Sequence, residues 1–145
     1  MRTLKVGSGL KIGEIAKRSS LPIKTIRYYT DIGLLTPHVA RSPTGYRLYE
    51  SSVLNRLAFI RRTQALGLSL TEIHDILKIH DQGELPCGQV KQYLETKVAD
   101  IEAQIHQLDL LRREVQGILS GWQEPLPTAY QQQTICPNLK KQGIV

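Results

Sequence analysis

Counted in sevens from Cys87, the chain sets Leu94, Ile101, Leu108, Val115 and Trp122 on one line. A second line runs through Val90, Leu111 and Ile118, and Val98, Ile105 and Leu119 widen it. An apolar repeat of seven held over about five periods marks one helix of a coiled coil, roughly 50 Å long at about 1.5 Å per residue. A chain of 145 residues has too small a body to cover that stripe. The helix therefore needs a partner, and a second copy of itself is the simplest one. The predicted dimerisation set is Val90, Leu94, Val98, Ile101, Ile105, Leu108, Leu111, Val115, Ile118 and Trp122. Lys97 and Gln104 fall at inner positions, where they weaken the seam and either set its register or meet the neighbouring domain. Packing of the stripe within one chain is the competing reading, and the heptad spacing disfavours it.

The residues before this helix follow shorter periods. Ile12, Ile15 and Ala16 keep i, i+3, i+4 spacing, and the Lys17-Arg18-Ser19-Ser20 run ends that helix. Pro22 suits a second helix start, because its missing N–H costs nothing there. From that start Ile23 and Ile26 are expected to face inward, while Lys24 and Arg27 share an outer face. Gly33 supplies the stop. Two short helices at a sharp turn, the second with a basic face, form a helix-turn-helix. Ser42-Pro43-Thr44-Gly45 is a turn cluster, and Tyr46-Arg47-Leu48-Tyr49 alternates like a strand. This hairpin presents Arg41, Arg47 and aromatic rings as a wing, and two strands alone must lean on the helices.

Glu50-Ser51-Ser52 offers hydroxyl caps to a third helix, with Val53, Leu54, Leu57 and either Ile60 or Ala58 on its apolar side. Arg56, Arg61 and Arg62 lie on the same helix, which closes at Gly67. Ser69-Leu70-Thr71-Glu72 matches a capping box for a fourth, which turns Ile73, Ile76, Leu77 and His80 inward. Gly83 and Pro86 make 81–86 a hinge. The long helix should fray at Gly121, residues 123–134 are too proline-rich for helix, and Cys136-Pro137-Asn138-Leu139 suits a short helical turn.

Charge is divided unevenly along the chain. Residues 1–62 hold twelve Lys and Arg against three Asp and Glu, whereas residues 63–145 hold seven against ten. A basic end on a neutral or acidic body points to a polyanion partner for that end, and its overlap with the helix-turn-helix points to DNA. No apolar run reaches the length of a membrane span, and residues 1–5 lack the apolar core of a signal peptide. Two cysteines far apart argue for the reducing cytoplasm. No glycine-rich phosphate loop, paired-carboxylate motif or nucleophile motif is present, so the chain is not expected to be an enzyme.

Four pieces in order carry a family resemblance: Ile12-Gly13-Glu14-Ile15-Ala16, Thr25-Ile26-Arg27-Tyr28-Tyr29, Gly33-Leu34-Leu35 and Gly45-Tyr46-Arg47-Leu48-Tyr49. In this order and spacing the chain resembles the MerR family of bacterial transcriptional regulators. The fold class expected is mainly α: a winged helix-turn-helix DNA-binding domain followed by a long antiparallel coiled-coil dimerisation helix. Residues 1–9 are read as a flexible leader, 10–81 as the DNA-binding domain with two supporting helices, 82–121 as hinge and dimerisation helix, and 122–145 as an effector-binding loop and tail.

Helical position alone puts Lys24, Thr25, Arg27 and Tyr28 on or beside the base-reading side. The resemblance implies DNA contacts at Lys24, Arg27 and Tyr29, at Arg41, Tyr46 and Arg47 in the wing, and a phosphate contact at Arg61. Tyr29 and Tyr49 have the competing reading of packing the wing onto the helices. The family usually carries glutamate where this chain has Thr30, a change expected to alter local orientation without removing DNA binding. Relatives of this kind bind as dimers to promoters whose spacer between RNA polymerase contact elements is too long. They bend and untwist that DNA when their signal binds.

The signal site is only partly written in the chain. Helix N-termini favour the anionic form of a thiol, which makes Cys87 a competent soft-metal ligand. Metal-sensing members of the family use a cysteine at this place, a second at the end of the long helix and a third in a Cys-Pro turn. Cys136-Pro137 matches the third, but Trp122 stands where the second is expected. Since the family's dimer helices run antiparallel, Cys87 of one subunit is expected near Cys136 of the other. Two thiolates suit a linear soft ion such as Cu(I) or Hg(II), and Zn(II) only with a further ligand, for which His74 and His80 are candidates. A reversible thiol redox pair, or an organic effector in a pocket lined by Trp122, stands beside the metal reading. The competing class is a coiled-coil protein-interaction module, whose basic end only solubilises it and protects no DNA from footprinting.

Overall fold

The computed structural model describes residues 9–124 and 135–139. It divides into two compact units, Met1–Lys97 and Val98–Val145. The first contains β1 (Leu10–Lys11), α1 (Ile12–Ser19), α2 (Ile23–Asp31), a 3-10 turn (Thr36–His38), β2 (Val39–Arg41), β3 (Arg47–Tyr49), α3 (Val53–Ala65), α4 (Leu70–Asp81) and the start of α5 (Cys87–Ser120).

The two short helices and their sharp turn form as expected. Ser20 closes α1 in the left-handed region at φ 59°, and Gly33 and Gly67 take φ 86° and 92° after α2 and α3. The wing departs from the expectation. It is a three-stranded antiparallel sheet in the order β1-β3-β2, with Tyr49 opposite both Leu10 and Val39. A strand of two residues is too short to show alternation, yet it gives the hairpin its third partner. Ile15, Ile26, Leu34, Leu35, Tyr49, Val53, Leu57, Ile60, Ile73 and Ile76 form the core beneath this sheet.

Other inward assignments change. Ile23 is 41% exposed, because it opens α2 before the core begins. Ile60, not Ala58, takes the inner position on α3, and Leu54 is half-buried. Ser52 does not cap α3: its hydroxyl lies 2.9 Å from His38 Nδ1, and its backbone is already helical. His80 is exposed and lines a cavity of about 350 Å³ with His38, Phe59, Ile76 and Pro86.

At α4 the capping box is complete: Glu72 N–H donates to Ser69 Oγ at 3.1 Å, and Ser69 N–H donates to Glu72 Oε1 at 2.9 Å. That backbone N–H holds the Glu72 carboxyl below its usual range. The carboxylate's half of the cap is therefore at full strength at neutral pH and weakens as pH falls through the lowered value, while the Ser69 hydroxyl keeps its bond from Glu72 N–H. Arg56 is buried on α3, where its guanidinium donates to both carboxylate oxygens of Asp81 at 2.6 and 2.9 Å and its Nε donates to the Leu34 carbonyl.

At the first turns of α5, residues of the expected dimerisation set also make contacts within the chain. Val90, Tyr93 and Leu94 pack against the core of their own chain, and Tyr93 Oη donates to Asp75 Oδ2 at 3.0 Å. Burial, and then that carboxylate, push the Tyr93 pKa up. Lys97, an inner heptad position, lays its stem on Gly67, where a Cβ would come within 3.2 Å of Lys97 Cε. The heptad line thus begins as an intramolecular contact.

In the second unit, α5 runs on to Ser120 and stops before Gly121. Arg112 and Arg113 both pair with Asp109, at 2.6 and 3.0 Å. Val98, Ile101, Ile105, Leu108, Leu111, Val115 and Trp122 stand exposed, with Leu108 at 65%, and Ile118 is half-buried. Pro137–Leu139 forms the expected turn. The loop expected over 123–134 lies outside the described residues from 125 on.

Candidate nucleic-acid interface

Helix α2 and the wing enclose a shallow open concavity of about 710 Å³, lined by Lys11, Ile12, Arg27, Asp31, Arg41, Tyr46 and Arg47. Four cations and one carboxylate in so small a surface make it electropositive. The helix contributes Arg27, and Lys24 and Tyr28 are also exposed on it, while Thr25 is half-buried. On the wing, Arg41 Nη1 donates to the Gly45 carbonyl at 2.7 Å, which fixes the guanidinium across the turn. Gly45 sits at φ 93°, a conformation that glycine adopts without strain. Tyr46 carries the Lys11 ammonium 4.9 Å above its ring.

Arg47 donates from Nη2 to Asp31 Oδ1 at 2.6 Å, a bond between the return strand and the last residue of α2. The carboxylate pushes the Arg47 pKa further up, so the guanidinium is charged at every accessible pH. Arg61 lies outside this concavity, with Nη1 donating to the Ser19 carbonyl at the end of α1 at 3.3 Å.

Tyr29 is placed differently from the role the resemblance implied. It is 6% exposed, and its hydroxyl donates to Gln64 Oε1 at 2.7 Å. Burial raises its pKa. The ring supports α2 from the core side, and its neighbour Tyr28, 6.2 Å away between centroids, is the tyrosine that faces out. Thr30 Oγ1 donates to the Ile26 carbonyl at 2.7 Å and lies 2.9 Å from Tyr49 Oη. The short side chain thereby joins the recognition helix to the buried wing tyrosine. Sequence reasoning missed Lys11 and Asp31; the i+4 spacing of Asp31 from Arg27 was the legible clue for the second.

The two thiols are free. Cys87 is the exposed first residue of α5. Cys136 is half-buried beside the turn Pro137–Leu139, and Asn138 fastens that turn to the end of α5: Nδ2 donates to the Gln123 carbonyl at 3.0 Å and Oδ1 accepts from Gln123 N–H at 2.9 Å. Among the described residues no three or more His, Cys, Asp or Glu side chains cluster as a metal site, so His74 and His80 do not complete one within the chain.

A basic recognition helix beside a basic wing, on a compact helical core, defines a winged helix-turn-helix DNA-binding regulator. The family model described as MerR HTH family regulatory protein matches residues 10–79, and that described as MerR, DNA binding matches residues 54–118. The chain is 36% identical over 110 residues to the HTH-type transcriptional regulator HmrR of Rhizobium leguminosarum bv. viciae, covering 76% of this chain and 84% of that protein. It is 37% identical over 103 residues to the mercuric resistance operon regulatory protein of Bacillus cereus, covering 71% and 77%. The crystal structure of the transcription regulator PbrR691 from Ralstonia metallidurans CH34 in complex with lead(II) superimposes with a TM-score of 0.70 at 34% identity, covering 81% of this chain and 91% of that one. The chain belongs to the MerR family of transcriptional regulators. The relatives named above are transcriptional regulators, and among the described residues no helix is long and apolar enough to cross a membrane.

Proposed function

We propose that this protein is a cytoplasmic homodimer that sits on promoter DNA and distorts it for RNA polymerase when a soft metal ion binds. The uncovered apolar stripe from Val98 to Trp122 carries this reading, since a lone chain would leave it in water. Antiparallel pairing of two such stripes sets two recognition helices on a near-palindromic site. The contacts we assign are Lys24, Thr25, Arg27 and Tyr28 on α2, Arg41, Tyr46 and Arg47 in the concavity, and Arg61 on a flanking phosphate. Tyr29 is left out because its ring is committed to the core.

Leu108→Asp tests the dimer. Leu108 is exposed in the single chain, so the substitution leaves the monomer's packing alone. It removes a buried leucine from each copy in the dimer, about 1.5–3 kcal/mol apiece. Sedimentation should show dimer dissociation rising by about a hundredfold or more, with operator binding weakened in step. A variant that sediments as wild type contradicts the seam.

The donor set fits a two-coordinate soft ion, Cu(I) or Hg(II), better than tetrahedral Zn(II). Such an ion would supply a cross-link between Cys87 and Cys136 of the partner subunit. The chain's own contribution is the placement of its donors. Cys87 is presented at a helix start, and Asn138 ties the Cys136 turn to the end of α5. The ligand need only prefer the distorting conformation of the dimer. Dialysis of the purified protein against a panel of metals should leave one Cu(I) or Hg(II) for each pair of thiols. Cys87→Ser and Cys136→Ser should each lose that ion together with signal-dependent transcription. If both serine variants respond as wild type, the metal reading falls.

A further inference from the structure

The single carboxylate among the cations of the concavity has no part in attracting DNA, yet it occupies a central place. Asp31 follows Arg27 by four residues on α2, and its Oδ1 lies 2.6 Å from Arg47 Nη2. Lys11, Arg27 and Arg41 line the same surface. Asp31 is about half exposed, and an exposed ion pair adds little to stability, so a purely structural brace explains its position poorly.

We infer that Asp31 is a specificity-determining residue of the DNA-binding surface, cancelling the charge of Arg47 toward any duplex while holding its guanidinium in one orientation. This rests on reading the concavity as the face that meets DNA. Attraction to the backbone scales with the number of phosphates that cations neutralise, and it is independent of sequence. A guanidinium already matched by a carboxylate adds almost nothing to that general attraction. Its planar fork has further donors, and one Asp31 bond fixes the plane in which they lie. Arg47 then rewards only a backbone whose path matches that plane, which is how a sequence-dependent duplex shape is read. The pair makes Arg47 a geometric contact, while Lys11, Arg27 and Arg41 supply the general pull.

The test uses the full-length chain in anisotropy titrations with two probes: a random-sequence duplex, and a duplex that the wild-type protein selects from a random pool. Asp31→Asn keeps the shape and removes the charge. It should bind random duplex more tightly at low salt. With two such pairs in the dimer, its log affinity against log salt should be steeper by about 1.8, an extra loss of about twelvefold between 50 and 200 mM. Its preference for the selected duplex should shrink. Asp31→Glu keeps the charge and should retain the wild-type slope, and Asp31→Asn with Arg47→Ala should return to it, since the whole pair is then gone. Random-duplex affinity and slope in Asp31→Asn equal to wild type would overturn the inference. If the wild type itself recovers no preferred duplex, the assignment of the DNA face fails instead, and the two failures are distinguishable.

Discussion

With Arg27→Ala, the expected result is a protein that still dimerises and still holds duplex DNA but no longer distinguishes its operator from random sequence. Arg27 is exposed on α2 and lines the concavity beside the wing. A bidentate contact from such an arginine to a guanine edge carries about 1–3 kcal/mol of discrimination. A two-fold dimer uses it twice, so about 2–6 kcal/mol of preference is at stake. The sequence-independent attraction survives, because Lys11, Lys24, Arg41 and Arg61 remain. Alanine is the best helix former, so α2 persists, and the seam on α5 is untouched. Competition gel shifts against random duplex measure the loss directly. Unchanged operator preference would mean that α2 does not enter the groove with this face.

Asp81→Ala should strongly destabilise the DNA-binding unit. The Arg56 side chain is 4% exposed, and two of its three nitrogens are held by the Asp81 carboxylate. Its remaining bond goes to the Leu34 carbonyl, so one arginine ties α3 to the end of α4 and to the loop after α2. Without Asp81 a buried guanidinium loses its counter-charge, a loss of about 3–5 kcal/mol. The lower end applies, because Asp81 itself is partly exposed and water can take its place. For a domain of 60–100 residues, about 3 kcal/mol lowers the thermal midpoint by roughly 12 °C or more. Arg56→Met should be milder, since an apolar side chain of similar length leaves no stranded charge in the core and Asp81 can be hydrated. Circular-dichroism melts of the three proteins check this ranking. An Asp81→Ala midpoint within a few degrees of wild type would show that the bridge contributes little.

What the sequence determined by itself was whatever a few neighbouring residues decide among themselves. Gly33 and Gly67 stop their helices because a left-handed residue is needed there. Ser69 and Glu72 cap α4 because they lie three apart, and the long helix stops before Gly121. The Cys136-Pro137 turn and the exposed basic face of Lys24 and Arg27 were legible for the same reason. Which side of each pattern meets water was set by how the elements pack together. Val90 and Leu94 fit the heptad pattern as well as Leu108 does, yet they are half-buried against their own core while Leu108 is exposed. Tyr28 and Tyr29 are adjacent tyrosines with opposite fates, one facing out and the other bonded to Gln64, 35 residues on. The pairs Arg56–Asp81 and Arg47–Asp31 join residues 25 and 16 apart. Spacing records which residues share a face of an element, but the burial of that face is set by what packs on it, and a spacing pattern does not say what that will be.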